Sequence, residues 1–139
     1  MSTVIDAVQA ALAAEHAAIY GYGVVGGRVP PARQPEASQA YEAHRARRDA
    51  LRRTVADLGA SPVNAAPAYE LPFPVPNPPA ALRLAAFLED HVGAAHGDVV
   101  RLSLGGIRRD AAAAMRDAAV RAVRWRGASV AFPGLPERP

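Results

Sequence analysis

The feature that most constrains the fold is a proline-rich segment of about 18 residues, ASPVNAAPAYELPFPVPN, which covers residues 60–77. Two segments with helical periodicity precede it and two follow it, and none shows the alternation of a strand. In a polyproline-like conformation the segment could span about 55 Å. A helix of about 24 residues is only about 36 Å long. The segment is therefore long enough to run the full length of the helices, which a simple turn would not require.

Capping signals give the predicted bounds of the four helices. Thr3 and Asp6 form a capping pair at the start of the chain, and Asn77 followed by Pro78 is a cap with a first-turn proline. Glycine is the expected stop signal. The predicted elements are helix 1 from Thr3 to about Gly26, helix 2 from Pro35 to Leu58 with Gly59 as its stop, helix 3 from Asn77 to Gly105–Gly106, and helix 4 from about Arg108 to Arg126.

These elements predict an all-α fold, a ferritin-like four-helix bundle with one long proline-rich crossover between helices 2 and 3. The chain is expected to be a single domain over residues 1–139, with the crossover at 60–77 and a Pro/Gly tail at 127–139. Tyr69, Leu71 and Phe73 are expected to pack the crossover against the helices. The alternative is a simple up-down bundle in which the same segment is a loose loop.

The composition excludes several classes of function. No cysteine is present, which rules out disulfides, thiolate metal sites and cysteine nucleophiles. Neither an apolar run of membrane length nor a signal peptide is seen, so we expect a cytoplasmic protein with no membrane contact. The net charge of +3 comes from arginine alone, mixed with nearly as many acidic residues. Without a recognisable reader motif, this charge does not indicate nucleic-acid binding.

The stretch EHAAIYGYGVVGGRVP, residues 15–30, contains a literal match to the dinucleotide-binding pattern G-x-G-x-x-G. That pattern binds a nucleotide only when it follows a strand and opens a helix. Here a helical segment precedes it and an Arg-Val-Pro-Pro turn follows, so the match does not predict nucleotide binding. Gly23 and Gly26 are instead expected to let a neighbouring element approach closely, and Tyr20 and Tyr22 to pack with partnered hydroxyls.

Polar residues on the apolar faces of the helices predict a buried polar cluster. Glu15 lies on the apolar stripe of helix 1, and a buried carboxylate needs a partner to stay ionised. Arg48 is the permanent cation of helix 2 expected nearest in level, so the two are predicted to form an ion pair while His44 bonds a tyrosine hydroxyl or Glu89. The predicted cluster consists of Glu15, His44, Arg48, Tyr20, Tyr22, Glu89 and His91.

A dimetal centre is not expected from this residue set. Carboxylate-bridged dimetal bundles use a Glu-x-x-His pair on each of two helices, and this sequence contains no Glu-x-x-His. The cofactor prediction is therefore none. The alternative is iron or another divalent metal held by Glu15, His44 and Glu89. No catalytic residue can be assigned, and the sequence favours a protein that is not an enzyme.

The segments LAAEHAAIYGYGVVGGR, YEAHRARRDALRRTVADLGA and PAYELPFPV, with the closing tryptophan and FPGLPE, resemble a ferritin-like domain family of unknown function from high-GC bacteria. The resemblance implies a ferritin-like bundle and carries over no catalytic residues. We expect a binding or scaffold module, homodimeric through apolar residues such as Val120 and Val123. The alternative function is a metal-dependent redox or iron-handling protein with a reduced Glu/His ligand set.

Overall fold

A computed structural model of the protein describes residues 3–127, and over this range the chain forms four α-helices and no strand. All of the predicted tail except Gly127 lies outside the described residues. No helix within them is long and apolar enough to cross a membrane. The elements are α1 (Val4–Gly26), a 3₁₀ turn (Pro31–Arg33), α2 (Gln34–Asp57), α3 (Pro78–Leu102) and α4 (Gly105–Arg126).

Side-chain caps start two of the helices where the sequence predicts them. The Thr3 hydroxyl accepts from the Asp6 amide while the Asp6 carboxylate accepts from the Thr3 amide, a complete capping box. Asn77 accepts from the Ala80 amide at 3.0 Å at the start of α3. The prediction that Gly105 and Gly106 end the third helix is wrong, because they open α4. Gly105 has φ +63, and this left-handed conformation, which favours glycine, makes the sharp turn between the helices.

Contacts along the helices give their relative directions. The short turn after α1 brings α2 back against it, so these two helices are antiparallel. Glu15 and Tyr22 of α1 contact His96 and Glu89 of α3, and this reversed order makes α1 and α3 antiparallel as well. It follows that α2 and α3 run in the same direction, as predicted. α4 packs back along α3.

The crossover between α2 and α3 packs along α1. The Gln9 amide group donates to the carbonyl of Ser61 and accepts from the amide of Val63, at 2.7 and 2.8 Å. Further along α1, His16 bonds the Val63 carbonyl at 3.0 Å. These contacts hold the first part of the crossover against α1 as it leaves α2.

Aromatic and apolar side chains hold the second part of the crossover. The Tyr20 ring lies 5.7 Å from the Tyr69 ring, and Phe73 packs edge-on against Phe87 of α3. Leu71 also packs against the apolar core. The prediction of an ordered, packed crossover is therefore confirmed.

One glycine of the GYGVVG stretch permits a close helix contact, but not one of the two predicted. A Cβ atom built on Gly23 or Gly26 meets nothing within 4 Å. A Cβ atom on Gly21 would lie 2.5 Å from a terminal methyl carbon of buried Leu88. Gly21 is therefore the position at which α3 approaches α1, and the stretch is an interior part of α1 rather than a nucleotide loop.

Alanine substitutions at these glycines should have opposite effects on stability. Gly23→Ala should raise the free energy of unfolding by about 1 kcal/mol, because alanine is the better helix former and the site is open. Gly21→Ala should lower it by about 1 kcal/mol, because displacing Leu88 outweighs the same propensity gain. Urea unfolding of the two variants measures both effects. Equal stabilisation by both substitutions would contradict the close approach at Gly21.

Candidate functional site

Four ionisable side chains from three helices meet in the interior of the protein. Glu15 lies midway along α1, His44 lies on α2, and Glu89 and His96 lie on α3. Each of the four is at most 2% exposed. We call them, together with Tyr22, the buried polar cluster.

Hydrogen bonds join the cluster into one chain centred on His44. The Nδ1 atom of His44 lies 2.6 Å from a Glu15 oxygen, and its Nε2 atom lies 2.8 Å from a Glu89 oxygen. The second oxygen of Glu15 accepts from the Nε2 atom of His96 at 3.1 Å. Ionised carboxylates only accept hydrogen bonds, so both nitrogens of His44 must carry protons. His44 is therefore an imidazolium held between two carboxylates.

The electrostatic balance of the cluster agrees with this protonation. Burial alone would lower the pKa of His44, but its hydrogen bonds with Glu15 and Glu89 outweigh burial and raise the pKa to about 9. Burial alone would raise the pKa of Glu15, but the hydrogen bonds from His44 and His96 outweigh it and the pKa lies below its ordinary value. At neutral pH, His44 is thus charged and Glu15 is ionised.

Tyr22 extends the chain toward α4. Its hydroxyl donates to Glu89 and accepts from the indole nitrogen of Trp125 at 2.9 Å. Burial and the neighbouring Glu89 raise the pKa of Tyr22, so the hydroxyl keeps its proton. The other oxygen of Glu89 is buried and has no hydrogen-bond partner among the described residues, but it lies 3.8 Å from the guanidinium of Arg121.

A groove between α2 and α4 reaches the cluster from outside. These two helices pack on α1 and α3, respectively, and are not closely packed against each other within residues 3–127. Two cavities of about 310 and 260 Å³ lie between them and share Arg47 and Ala50. Glu15 and His44 line the first cavity and His96 lines the second. We call this pair of cavities the α2–α4 groove.

Polar contacts bridge the groove at two levels. The Arg47 guanidinium of α2 donates to the Asp117 carboxylate of α4 at 3.2 Å. Near the start of α2, the Arg33 guanidinium lies 4.6 Å from the centre of the Trp125 ring and donates to the Arg124 carbonyl. The Arg47–Asp117 contact thus crosses the groove, and buried charges form part of the wall of the first cavity.

The structure brings together four of the seven residues predicted for the cluster: Glu15, His44, Tyr22 and Glu89. The predicted bond from His44 to Glu89 is present. The predicted pair between Arg48 and Glu15 is wrong, because Arg48 bonds its neighbour Asp49 at 3.0 Å instead. Tyr20 also lies outside the cluster, because its side chain is 38% exposed and packs on Tyr69 of the crossover.

His91 is the third predicted residue that lies outside the cluster. It is exposed, and its ring stacks on the ring of Phe87 at 6.3 Å. Glu89, two residues earlier on α3, is fully buried, so the two side chains leave the helix on different faces.

The error for Arg48 has a simple geometric cause. The prediction assumed a hairpin that turns near Ala32, which would put Asp49 and its neighbour Arg48 level with Glu15. α1 ends at Gly26 and α2 begins at Gln34, so the connection is centred on Pro30. This difference moves α2 by about one helical turn, and the residue one turn before Arg48 is His44. A cation does face Glu15, but it is an imidazolium rather than a guanidinium.

The sequence did not predict that His96 belongs to the cluster, or that Trp125 and Arg121 lie beside it. One signal could have found His96: it follows Glu89 by seven residues, which is two helical turns and therefore the same face of α3. Trp125 and Arg121 lie about one turn apart on α4, and no pattern within α4 indicates which partner they meet.

Comparisons with known proteins add a family and a structure. A search of curated proteins finds no match. The chain is similar to the crystal structure of a conserved hypothetical protein, rv2844, from Mycobacterium tuberculosis, with 36% sequence identity and a TM-score of 0.85. The match covers 87% of this chain and 92% of that one. Residues 7–137 match the model of a domain of unknown function, DUF4439, and the chain belongs to that family.

Proposed function

We propose that this protein is a ferritin-like four-helix bundle that binds a small ligand in the α2–α4 groove without a metal centre. The parallel α2 and α3, joined by a long packed crossover, support the ferritin-like arrangement. The observation that carries the binding role is the groove itself, whose first cavity, of about 310 Å³, is walled by the buried charged pair of Glu15 and His44. Small-molecule sites typically combine such concavity with a few fixed polar groups.

The hydrogen bonds of His44 argue against a resident metal ion in the cluster. A metal binds histidine through a nitrogen without a proton, but both nitrogens of His44 hydrogen-bond carboxylates. No group of three or more potential ligands is arranged to hold a metal ion anywhere in residues 3–127. The imidazolium instead supplies the positive charge between two carboxylates that a cation would supply in a metalloprotein. The alternative metal-dependent redox or iron-handling role is therefore not favoured.

We expect the protein, purified without added metal, to hold no stoichiometric iron or zinc. Anaerobic titration with Fe(II) at pH 7 should leave the melting temperature unchanged, because binding would have to displace the proton of a strongly basic imidazole. Elemental analysis and thermal melting measure the two quantities. One or two bound ions per chain that are lost in Glu15→Gln but kept in His91→Leu would overturn the metal-free proposal.

Ligand binding in the groove can be tested without knowing the natural ligand. A library of small fragments is screened by thermal melting against the protein and against Ala50→Leu, which places a larger side chain where the two cavities join. Ligands of the groove should raise the melting temperature of the unmodified protein and leave that of Ala50→Leu unchanged. Ala56→Leu is the matched control for helix propensity, since Ala56 lies on the same helix, is exposed and lines neither cavity. If no fragment distinguishes Ala50→Leu from the unmodified protein, the binding role fails.

We also propose that the protein forms a homodimer through the outer face of α4. Val120 and Val123 are 45% and 38% exposed there, and residues three apart lie on the same side of a helix. The double substitution of Val120→Glu and Val123→Glu should convert a dimer into monomers, because it places charges in an apolar interface. Light scattering measures the mass, and a monomeric unmodified protein would refute the dimer.

The cytoplasmic location stays a prediction.

A further inference from the structure

The shape of the α2–α4 groove is elongated, and its two ends differ in chemistry. The first cavity is lined by the charged residues Arg47, Arg121 and Asp117 in addition to Glu15 and His44. Six of the ten residues that line the second cavity are apolar, among them Leu51, Val99 and Ile107, and the others include His96 and Asp110. A ligand that fills both must therefore have a polar end and an apolar body.

The length of the groove favours an extended molecule. Ile107 lines the second cavity and Arg121 lines the first, and both lie on α4. A separation of fourteen residues along a helix corresponds to roughly 21 Å. Between these ends several alanines line the walls, and the guanidinium of Arg47, which lines both cavities, bonds Asp117 across the space, so a ligand that fills both cavities passes beside this pair.

The charged groups at the polar end are largely paired with one another, and only some of the pairs are hydrogen-bonded. Glu15 is bonded by His44 and His96, and Asp117 is bonded by Arg47. The guanidinium of Arg121 makes no hydrogen bond to any residue in 3–127, and its nearest acid, Glu89, lies 3.8 Å away. Its side chain is 26% exposed, so it is partly shielded from water but reachable from the cavity.

We infer that the α2–α4 groove binds a small amphipathic monocarboxylate, with its carboxylate on Arg121 and its apolar chain extending toward Ile107. The inference rests on the proposed ligand-binding function and gives that ligand a chemical class. Guanidinium groups bind carboxylates through two parallel hydrogen bonds, which suits a partly buried arginine with free donors. A ligand carboxylate can accept hydrogen bonds from Arg121, whereas a protonated amine has no lone pair to accept them and an alcohol accepts them without a charge.

Isothermal titration with a matched ligand set tests the inference. The ligands are butanoate, hexanoate and octanoate, with 1-octanol and octylamine as controls that share the chain but not the charge. Octanoate should bind most tightly, with Kd falling about fourfold for each methylene added to the acid, because each is buried against apolar wall. Octanol and octylamine should bind at least tenfold more weakly than octanoate.

Substitutions locate the two ends of the ligand. Arg121→Gln should weaken octanoate at least tenfold and leave octanol unchanged, and Ala50→Leu should weaken both. Arg116→Gln, at an exposed arginine of the same helix, should change neither. Equal binding of octanol and octanoate, or full octanoate affinity in Arg121→Gln, would overturn the inference.

The outcome of the fragment screen separates the two proposals. If fragments bind the unmodified protein and not Ala50→Leu while no carboxylate binds, the groove is a ligand site of another chemical class and only the carboxylate inference fails. If neither fragments nor carboxylates bind, the proposed function fails with it.

Discussion

Replacing His44 with leucine should lower the free energy of unfolding by about 3 to 5 kcal/mol, the largest effect expected for any single substitution in the buried polar cluster. The reason is electrostatic rather than steric. Glu15 and Glu89 are 1% and 0% exposed, and the imidazolium lies between them. Without it, two carboxylates remain in the interior with only neutral or distant partners, and a buried uncompensated charge is costly.

Neutralising the two carboxylates should recover part of that loss. The triple variant with His44→Leu, Glu15→Gln and Glu89→Gln leaves buried amides, which cost less to desolvate than carboxylates. It should therefore be more stable than His44→Leu alone, even though it carries more substitutions. This non-additivity is the signature of residues that stabilise one another.

Urea unfolding at pH 7 measures both variants against the unmodified protein. His91→Leu is the matched control, because it removes an exposed histidine near Glu89 and should change stability by less than about 0.5 kcal/mol. A cost below about 1 kcal/mol for His44→Leu, or a triple variant less stable than the single one, would show that His44 is not the cation that holds the cluster. If the leucine variant does not fold, the same measurement is made on His44→Gln, which is a smaller change.

The elements of the fold were readable from sequence because their signals are local. The capping box at Thr3, the cap at Asn77 and the proline-rich crossover each act within a few residues or through chain length alone. The direction of α3 relative to α2 followed from the reach of the crossover. The boundary at Gly105 was predicted wrongly as a stop, because glycine in a left-handed conformation can open a helix as well as follow one.

The candidate site could be predicted only in part, because it depends on the register between neighbouring helices and on the cavities between them. A shift of one turn in the α1–α2 hairpin exchanges Arg48 for His44 opposite Glu15. Alanines such as Ala50 and Ala114 have the same helical pattern whether they pack against a neighbouring helix or line a cavity. The need of Glu15 for a cation was predictable from physical chemistry, whereas the identity of that cation and the presence of the groove required the structure.

Raising the pH from 6.5 to 9.5 should destabilise the protein by about 2 to 3 kcal/mol through His44. The pKa of His44 is about 9 in the folded protein, against an ordinary value of 6.5. A raised folded-state pKa gives stability that is fully present below pH 6.5 and is lost as the pH rises through 9. That difference in pKa corresponds to roughly 3 kcal/mol, most of which is lost over this interval.

The other titrating groups that face His44 do not reproduce this effect. The pKa of Glu15 is lowered, so its contribution is already complete above pH 4.5 and is lost only on acidification. The pKa of Tyr22 is raised from 10, so its contribution to the pH dependence comes mainly above pH 10. Between pH 6.5 and 9.5 the slope of stability against pH therefore reports chiefly on the imidazolium of His44.

Urea unfolding at half-unit steps across this interval measures that slope, and the histidine ring signals in NMR report the pKa directly. In the triple variant, which lacks His44 and both carboxylates, the decline should be reduced to the small contribution of the remaining groups. His91→Leu should keep the full decline, since His91 is exposed and bonded to neither carboxylate. A stability that is constant from pH 6.5 to 9.5 in the unmodified protein would mean that His44 is neutral when folded, and the charge balance of the whole cluster would then have to be reassigned.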